Sequence, residues 1–334
     1  MESVRVGITG VGLMGELHAR VVSRLDGAEL IALYDPDQDK ARRAAARYGG
    51  QVVGSYSSLL DCGIDAVSIC SPTSAHLGAI CEAAARGIHV LVEKPLAPCL
   101  AEGRRAAEVV ARSEIALLVG MTHHFYPELC AAKEQVDRGE IGQIRLVRDH
   151  VVMPQRIFEP WKLDVEEAGG GVFMENGIHC VNRVRWMLGS EVSRVWASVG
   201  NMLPSVRGED YGAALLVFES SAVCSLTLSV TPTDMFECDL ECYGTEGALR
   251  VRSWQGYETV TAGQRSSVVT ARADESLWDK IAAGVEREVA HFLRCLRGEE
   301  PLAVTAADAC RDLAVVEAIY EAARTGSPVS PASV

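Results

Sequence analysis

Long hydrophobic runs are missing from this sequence of 334 residues. No apolar stretch approaches the roughly 18 residues that a helix needs to cross a bilayer. The N-terminal segment lacks the basic start and the apolar stretch of a secretory signal. These absences predict a cytoplasmic protein with no membrane segment.

Positive charge is scarce as well. Lysine and arginine number 32 against 45 acidic residues, which gives a net charge of −13. Nucleic acids and anionic membranes attract proteins through a positive surface, so we exclude both as partners. Hydrophobic residues at 48% and charged residues at 23% are ordinary for a globular protein. The length favours two domains over a single core.

Clustered cysteines are a third absence. The eleven cysteines are an odd number, are scattered along the chain and form no CxxC motif. The closest pair is Cys238 and Cys242, with three residues between them. We therefore expect reduced thiols in a cytosolic protein and no metal site.

The first part of the chain alternates short apolar runs with amphipathic stretches. This alternation predicts a doubly wound parallel sheet with helices on both faces. The predicted strands are Val4–Thr9, Glu29–Tyr34, Ala66–Cys70, His89–Val92 and Ala116–Val119. The predicted helices are Leu13–Leu25, Gln38–Tyr48, Ser74–Arg86 and Leu100–Arg112.

The rest of the chain is dominated by consecutive strands with short links, which predicts a large, open, mostly antiparallel sheet. Its strands are Ile141–Met153, Val192–Asn201, Tyr211–Glu219, Ala222–Val230, Phe236–Tyr243, Ala248–Arg252 and Thr259–Ala262. Its helices are Glu175–Leu188, Trp278–Arg297 and Ala306–Arg324. One sheet face would pack on the first helix, and a partner subunit would cover the other, as in a homodimer or homotetramer.

The change of pattern places the domain boundary near Met121–Pro127. We expect a dinucleotide-binding Rossmann domain over residues 1–122. A substrate-binding and oligomerisation domain would follow over residues 123–334, with helix 306–324 free to pack back on the first domain.

A GxGxxG motif lies between the first strand and the first helix. The first glycine would make a tight turn, the second would admit a pyrophosphate, and the third would let helix pack on strand. The helix N-terminus would supply N–H groups to the phosphates. The predicted cofactor-binding residues of this run are Gly10, Gly12, Leu13, Met14 and Gly15.

Asp35 ends the second strand, twenty residues after Gly15. A carboxylate there accepts hydrogen bonds from the adenosine ribose hydroxyls and repels a 2′-phosphate. NAD is therefore favoured over NADP.

Two further runs follow strands of the parallel sheet and so lie at the edge where ligands bind. Ser71, Pro72, Thr73 and His76 follow the predicted strand Ala66–Cys70 and either contact the cofactor or simply cap the next helix. Glu93 and Lys94, before Pro95, come after the next strand. Lys94 can hydrogen-bond a substrate hydroxyl and stabilise the alkoxide that forms as hydride leaves.

Residues 169–182 combine a glycine triplet with a carboxylate and an imidazole. On a regular helix, Glu175 and His179 leave one face one turn apart. A neutral imidazole can take a proton from an alcohol. The alternative is a glycine hinge before a helix whose polar groups are merely solvated.

Taken together, these motifs resemble the Gfo/Idh/MocA oxidoreductases, the glucose–fructose oxidoreductase and inositol dehydrogenase group, over nearly the whole chain. The resemblance also rests on Gly120 to Pro127, on Trp161 to Asp164 and on the GTEG run at residues 244–247. It implies a Rossmann domain, an open antiparallel sheet that forms dimers or tetramers, and NAD(P)-dependent redox chemistry on a sugar or polyol hydroxyl.

The resemblance also implies residue roles. Lys94 matches the family's catalytic lysine, and His179 matches its histidine. Glu175 stands where the family commonly has aspartate, and Asn182 where it often has aspartate. These two departures set the chain apart from the inositol dehydrogenases more than from redox enzymes in general.

Substrate contacts are expected from residues around the same helix. His123 lies where the family often has basic residues, Trp161 can wall an apolar sugar face, and Lys162 replaces a frequent arginine. Asn176 and Asn182 complete the predicted substrate-binding set.

The sequence thus predicts an NAD(P)-dependent dehydrogenase or reductase of sugars or cyclitols. Lys94, His179 and Glu175 would be catalytic. Three alternatives stay open: a glycoside-cleaving enzyme that retains its NAD, a nucleotide-sugar ketoreductase, and a non-catalytic sugar or nucleotide sensor.

Overall fold

The computed structural model of the protein describes residues 3–261, 263–270 and 276–334. The chain forms two compact units, residues 1–122 with 281–310, and residues 123–280 with 311–334. The chain thus returns to the first unit at Ile281, whereas the sequence-based division leaves residues 281–310 in the second domain.

The first unit is built on a six-stranded parallel sheet with the strand order β3-β2-β1-β4-β5-β6. Its strands are β1 (Val4–Thr9), β2 (Ala28–Tyr34), β3 (Gln51–Val52), β4 (Ala66–Ile69), β5 (His89–Glu93) and β6 (Leu117–Gly120). Its helices are α1 (Leu13–Val22), α2 (Gln38–Tyr48), α3 (Tyr56–Leu60), α4 (His76–Ala84) and α5 (Leu100–Ala111). The predicted doubly wound sheet is confirmed, although sequence analysis missed the short β3 and α3.

The strand order reverses between β1 and β4, which both pair with parallel neighbours. Ligands of open α/β sheets bind at such a switch point, outside the carboxyl ends of the strands. The glycine turn follows β1, and the loop beginning at Ser71 follows β4. Topology therefore brings these two predicted cofactor segments to one edge.

The second unit begins with α6 (Pro127–Asp137) and β7 (Ile144–Pro154), followed by the short α7 (Val165–Ala168) and α8 (Ile178–Leu188). Seven strands come next: β8 (Val192–Gly200), β9 (Tyr211–Phe218), β10 (Val223–Thr231), β11 (Glu237–Gly244), β12 (Gly247–Arg252), β13 (Gly256–Thr261) and β14 (Gln264–Val269). Two long helices close the chain, α9 (Leu277–Leu296) and α10 (Ala306–Thr325). The last residue of the predicted strand Thr259–Ala262 lies outside the described residues.

Strands β7 to β14 form one sheet in the order β14-β13-β12-β11-β7-β10-β9-β8. Among the described strands of this sheet, only the β7–β10 pair is parallel, so the predicted mostly antiparallel sheet is confirmed. Val147, Asp149 and Val151 alternate inward on β7. The outward positions between them are polar or partly exposed, as expected of a sheet with one packed face.

Helix α9 supplies part of the core of the first unit. Val285, Val289 and Phe292 recur at helical spacing and are buried with Ile8 and Leu33 of the parallel sheet. This apolar stripe is the reason that a helix so late in the chain belongs to the first unit.

The start of the predicted helix Glu175–Leu188 is wrong in its geometry. Residues Phe173–Gly177 form a π-helical turn, and α8 begins only at Ile178. A π turn holds more residues than an α turn, so the spacing of Glu175 and His179 is not that of a regular α-helix. The unpredicted α6 begins with Pro127 at its first turn, a position that suits proline.

Among the helices of the described residues, none combines the length and the apolar character that crossing a membrane requires.

Candidate active site

The glycine turn after β1 leaves no space for side chains. Gly10 has a φ of +81°, and a Cβ there would lie 2.4 Å from the backbone nitrogen of Ser71. A Cβ at Gly15 would lie 1.8 Å from the carbonyl oxygen of Gly10. Gly12 is the N-cap of α1, so the first N–H groups of that helix, from Leu13 and Met14 onward, begin directly at the turn. This cradle fits a pyrophosphate.

Asp35 is buried beside this turn. Its Oδ2 accepts a hydrogen bond from the Val11 N–H at 2.6 Å, and its Oδ1 accepts one from the Asp37 N–H at 2.8 Å. Each carboxylate oxygen has a further lone pair, so the group can still accept from a ribose hydroxyl. The aspartate that is predicted to select the cofactor thus also shapes the glycine turn.

The segment after β4 presents two buried hydroxyls. Within the described residues, Ser71 Oγ and Thr73 Oγ1 have no hydrogen-bond partner. A buried hydroxyl without a partner is costly unless a ligand satisfies it. These atoms, next to the glycine cradle, fit a bound dinucleotide, as does the position of Pro72 between them.

His76 braces the same edge. Its two ring nitrogens lie 2.9 Å from the backbone oxygens of Ser71 and Pro95. Burial lowers the pKa of this imidazole, so it is neutral and donates to one of the two carbonyls. The structure thus ties together the two loops that carry the predicted cofactor residues.

Glu93 and Lys94 are both buried at the end of β5. The Glu93 carboxylate lies 3.2 Å from Nε2 of His18, and Nδ1 of His18 lies 2.8 Å from Oγ of Ser68. An acceptor at Glu93 requires a proton on Nε2 of the ring. These contacts were not predicted, although His18 follows Gly15 by three residues on the inner face of α1.

A second buried carboxyl lies near the first. Glu288 of α9 accepts a hydrogen bond from Thr122 Oγ1 at 3.1 Å through its Oε2. Burial, and then the charge of Glu93, raise the pKa of Glu288 well above its ordinary value. No sequence signal pointed to this group, because the pattern of α9 is that of an ordinary amphipathic helix.

In the second unit, the predicted residues His179 and Asn182 meet at His123. Nδ1 of His123 lies 3.3 Å from Nδ1 of His179, and Nε2 of His123 lies 3.1 Å from Oδ1 of Asn182. The two imidazole rings form an edge contact with centroids 5.5 Å apart. His124 also contacts Asn182 Oδ1, at 2.6 Å. His123 and Asn182 are buried, whereas His179 is half-buried.

Asn182 is anchored from behind by Asp312 of α10. Asn182 Nδ2 donates to Asp312 Oδ2 at 2.7 Å, and Arg185 donates to the other carboxylate oxygen. Asp312 is fully buried and comes 130 residues after Asn182. Nothing in the sequence pattern pointed to this aspartate.

Glu175 has a neighbour that helical spacing does not indicate. Its Oε1 accepts a hydrogen bond from Nζ of Lys162 at 2.7 Å, and Nζ lies 5.4 Å from the ring centroid of Trp161. Three predicted residues therefore form one group. Asn176, next in the π turn, is buried and its Nδ2 finds no partner among the described residues, so it is available to a ligand.

The glycine triplet is held by Glu209 and Tyr320. Glu209 accepts hydrogen bonds from the N–H groups of Gly171 and Phe173 and from the Tyr320 hydroxyl, at 3.1, 3.0 and 2.8 Å. The same hydroxyl accepts from the Met174 N–H at 3.1 Å. A Cβ at Gly171 would lie 2.0 Å from the Glu209 backbone oxygen. The triplet is a packing requirement of the turn that carries Glu175.

One group of possible metal ligands occurs in the part of the chain that the structure describes, namely His291, Cys295 and Glu300. Nδ1 of His291 lies 2.7 Å from Glu300, and its Nε2 accepts a hydrogen bond from the Ala303 N–H at 3.0 Å. Burial raises the pKa of the Cys295 thiol to about 11. Both ring nitrogens are already engaged, so the group works as a hydrogen-bonded brace.

A dinucleotide cradle beside a buried lysine is typical of an oxidoreductase, and comparison with known proteins agrees. Residues 4–121 match the oxidoreductase family with an NAD-binding Rossmann fold, and residues 130–250 match the GFO/IDH/MocA C-terminal domain. The chain therefore belongs to the GFO/IDH/MocA family. The predicted family, fold class, NAD cofactor and oxidoreductase activity on CH–OH groups are confirmed.

Individual relatives cover the chain almost from end to end. A scyllo-inositol 2-dehydrogenase (NAD(+)) of Bacillus subtilis is 30% identical over 338 residues, covering 98% of this chain and 96% of the relative. A myo-inositol 2-dehydrogenase of Thermotoga maritima is 26% identical over 314 residues, covering 91% and 92%. The crystal structure of GenD2 from gentamicin A biosynthesis, in complex with NAD, superposes with a TM-score of 0.89 at 25% identity, covering 100% and 97%.

Proposed function

We propose that this protein is an NAD-dependent dehydrogenase that oxidises a ring hydroxyl of a sugar or cyclitol, or reduces the corresponding ketone. The observation that carries the proposal is the polar start of α8, where His179 is hydrogen-bonded to a buried imidazole a few residues after Glu175 and Asn176. Such a row of donors and acceptors suits a ligand with several adjacent hydroxyls. The named relatives, which include scyllo- and myo-inositol dehydrogenases, support the same substrate class.

Each side chain has a role in this proposal. His179 takes the hydroxyl proton as the alcohol is oxidised, and Lys94 hydrogen-bonds the same oxygen and stabilises its developing negative charge. Glu175, held by Lys162, and Asn176 bind neighbouring hydroxyls and orient the ring. When bound, NAD supplies the acceptor for the hydride that leaves the carbinol carbon.

The cofactor side is assigned to residues of the first unit. The turn at residues 10–15 would hold the pyrophosphate, and Asp35 would accept from the adenosine ribose, which favours NAD over NADP. Ser71 and Thr73 would donate their otherwise unsatisfied hydroxyls to the dinucleotide. His76 and Glu93 would act one layer behind, by holding the loops in place.

The test is an absorbance assay of NADH formation with scyllo-inositol, myo-inositol and a panel of sugars, run in parallel with NAD and NADP. We expect turnover with NAD, and Lys94→Ala and His179→Ala should each lower kcat by at least about 10², the usual contribution of acid–base groups. Arg112→Ala, at the exposed C-terminal end of α5, is the control and should keep full activity. Near-normal kcat in either active-site variant would refute the assigned roles.

The three alternatives are less well supported. A glycoside-cleaving enzyme that retains its NAD would release product without net formation of NADH, so the absorbance assay would show no NADH signal. A nucleotide-sugar ketoreductase would require nucleotide-linked substrates. A sensor would bind sugar without turnover, and it would have no need of a buried lysine and an imidazole held in one orientation.

We also propose a homodimer or homotetramer that pairs the outer face of the large sheet. Trp196 and Leu215 are cross-strand neighbours on this face and are 37% and 41% exposed. Leu146 and Tyr243, at 41% and 38%, form a second such pair. Light scattering should give a multiple of 35.9 kDa. The double variant Trp196→Arg with Leu215→Arg should lower the measured mass, and a monomeric native protein would contradict the proposal.

The location is proposed to be cytoplasmic. All eleven cysteines lie within the described ranges and are thiols, which suits a reducing compartment.

A further inference from the structure

The direction of every hydrogen bond behind His179 follows from one buried carboxylate. Asp312 is fully buried and ion-paired with Arg185. An ionised carboxylate accepts hydrogen bonds and donates none. The amide of Asn182 must therefore turn its NH₂ group toward Asp312, as its Nδ2 does at 2.7 Å. The opposite amide orientation would set a carbonyl oxygen against the carboxylate.

The orientation of Asn182 then fixes the protons of two histidines. Its carbonyl oxygen Oδ1 faces Nε2 of His123 at 3.1 Å and Nε2 of His124 at 2.6 Å. An amide oxygen is only an acceptor, so both ring nitrogens carry a proton and donate it. Two donors are within the capacity of one carbonyl oxygen, which has two lone pairs.

His123 passes this constraint to His179. Burial, and then the neighbouring rings of His124 and His179 and the charge of Arg183, lower the pKa of His123 well below its ordinary value. A neutral imidazole has one N–H, and Asn182 already receives it from Nε2. Nδ1 of His123 is therefore an acceptor, and Nδ1 of His179, 3.3 Å away, must be the donor. The other arrangement would place two lone pairs opposite each other.

We propose that Asp312, Asn182 and His123 are positioning residues that hold the proton of His179 on Nδ1 and so keep Nε2 as the basic atom. This inference rests on the proposed function, in which His179 takes a proton from the substrate hydroxyl. The nitrogen that bears the proton is set by the hydrogen bond of the other nitrogen, as in other catalytic histidines. Here a series of hydrogen bonds runs from His179 through His123 and Asn182 to the ion pair of Asp312 and Arg185.

The same series of hydrogen bonds explains the asparagine at position 182. A carboxylate at this position would face the Asp312 carboxylate across a contact of 2.7 Å, with Arg185 as the shared cation. Two like charges at that distance are strongly unfavourable in a buried site. Asn182 and Asp312 are thus complementary, because the amide offers a donor to the carboxylate and an acceptor to the histidines.

The experiment is an NMR measurement of ring nitrogen shifts in the full-length protein with ¹⁵N-labelled histidine. Eight histidines give a tractable spectrum, and His179→Asn assigns the signal of interest. We expect native His179 to show a protonated Nδ1 and an unprotonated Nε2. A native His179 with its proton on Nε2 would overturn the inference, and this measurement needs neither substrate nor turnover.

The variant that tests the origin of the constraint is Asp312→Asn, because an amide at 312 can donate as well as accept. We expect a mixture of His179 tautomers and a fall in kcat of at least about tenfold with KM nearly unchanged, as for other groups that orient a histidine. Retention of the Nδ1 proton together with full kcat would refute the role of Asp312. If this variant does not fold, His123→Phe removes the acceptor and should give the same two changes.

Glu191→Gln is the matched control. Glu191 binds Arg185 from the solvent side, with Nε to Oε2 at 2.7 Å, and is half-exposed. Glu191 binds the same arginine as Asp312, but a neutral side chain at position 191 leaves the direction of the hydrogen bonds from Asp312 to His179 unchanged. The His179 tautomer and the kcat of this variant should match those of the native protein. A normal kcat in His179→Ala would instead refute the proposed function while leaving the tautomer assignment standing.

Discussion

Replacement of Glu288 by glutamine should stabilise the protein relative to the native chain, by an amount that grows as the pH rises. Glu288 is 0% exposed, and within the described residues its Oε1 has no hydrogen-bond partner. Oε1 lies 3.6 Å from the position that a Cβ at Gly120 would occupy, and the Glu93 Cα is 3.6 Å from that same position. Burial and then the Glu93 charge raise the pKa of Glu288 well above its ordinary value, so the folded protein keeps this carboxyl protonated.

The direction of this pH effect on stability follows from proton binding in the folded and unfolded states. Above the ordinary pKa of about 4.3, the unfolded chain releases this proton while the folded chain retains it. The folded state then binds more protons, so the free energy of unfolding falls as pH rises toward the folded pKa. One proton contributes a slope of about 1.4 kcal/mol per pH unit over the pH range between the unfolded and the folded pKa. The Glu288→Gln variant lacks this slope, and its amide keeps an oxygen for the Thr122 hydroxyl.

The assay is urea unfolding of the native protein and Glu288→Gln at several pH values. The difference between their free energies of unfolding isolates the contribution of Glu288 from all other titrating groups. Far-UV circular dichroism is the signal of choice, because all five tryptophans belong to the second unit: Trp161, Trp186, Trp196, Trp254 and Trp278. A difference that stays constant across this pH range would refute the assignment of a neutral Glu288.

Two further predictions concern the second unit. Asp149→Asn breaks the fully buried ion pair with Arg183 and should lower the free energy of unfolding by about 3–5 kcal/mol in urea denaturation. Arg148→Gln breaks an exposed ion pair on the same strand and should lower it by at most about 1 kcal/mol. Tyr320→Phe leaves the buried Met174 N–H without its acceptor, so it should cost about 1–3 kcal/mol and raise KM in steady-state kinetics. Equal stability of the two ion-pair variants, or an unchanged Tyr320→Phe protein, would contradict these contacts.

Much of the first unit could be predicted from local pattern. Buried parallel strands read as short apolar runs, and Gly10, Gly12 and Gly15 occur where a strand gives way to a helix. These signals lie within a few residues of one another, so a linear pattern captures them. The structure adds the physical reason for a glycine at position 15, because a Cβ there would lie 1.8 Å from the Gly10 carbonyl oxygen.

The second unit was harder to predict because its site depends on distant contacts. The regular helix expected from Glu175 became a π turn followed by α8, since Glu209 and Tyr320 hold the backbone at the glycine triplet. Glu175 then pairs with Lys162. The structure thus adds Lys162 as a neighbour of Glu175 and His123 as a neighbour of His179, and neither contact could be derived from helical spacing.

By itself, the sequence determined the family, the two sheet types, the glycine turn after β1 and the candidate acid–base residues Lys94 and His179. Each of these depends on residue type and short-range spacing, which the chain carries locally. Only the tertiary structure decided which groups stand behind them. Asp312 reaches Asn182 across 130 residues of sequence, and Glu288 reaches Thr122 across 166. A hydrogen bond depends on where the folded backbone places its two ends, so no local pattern could have named either carboxyl group.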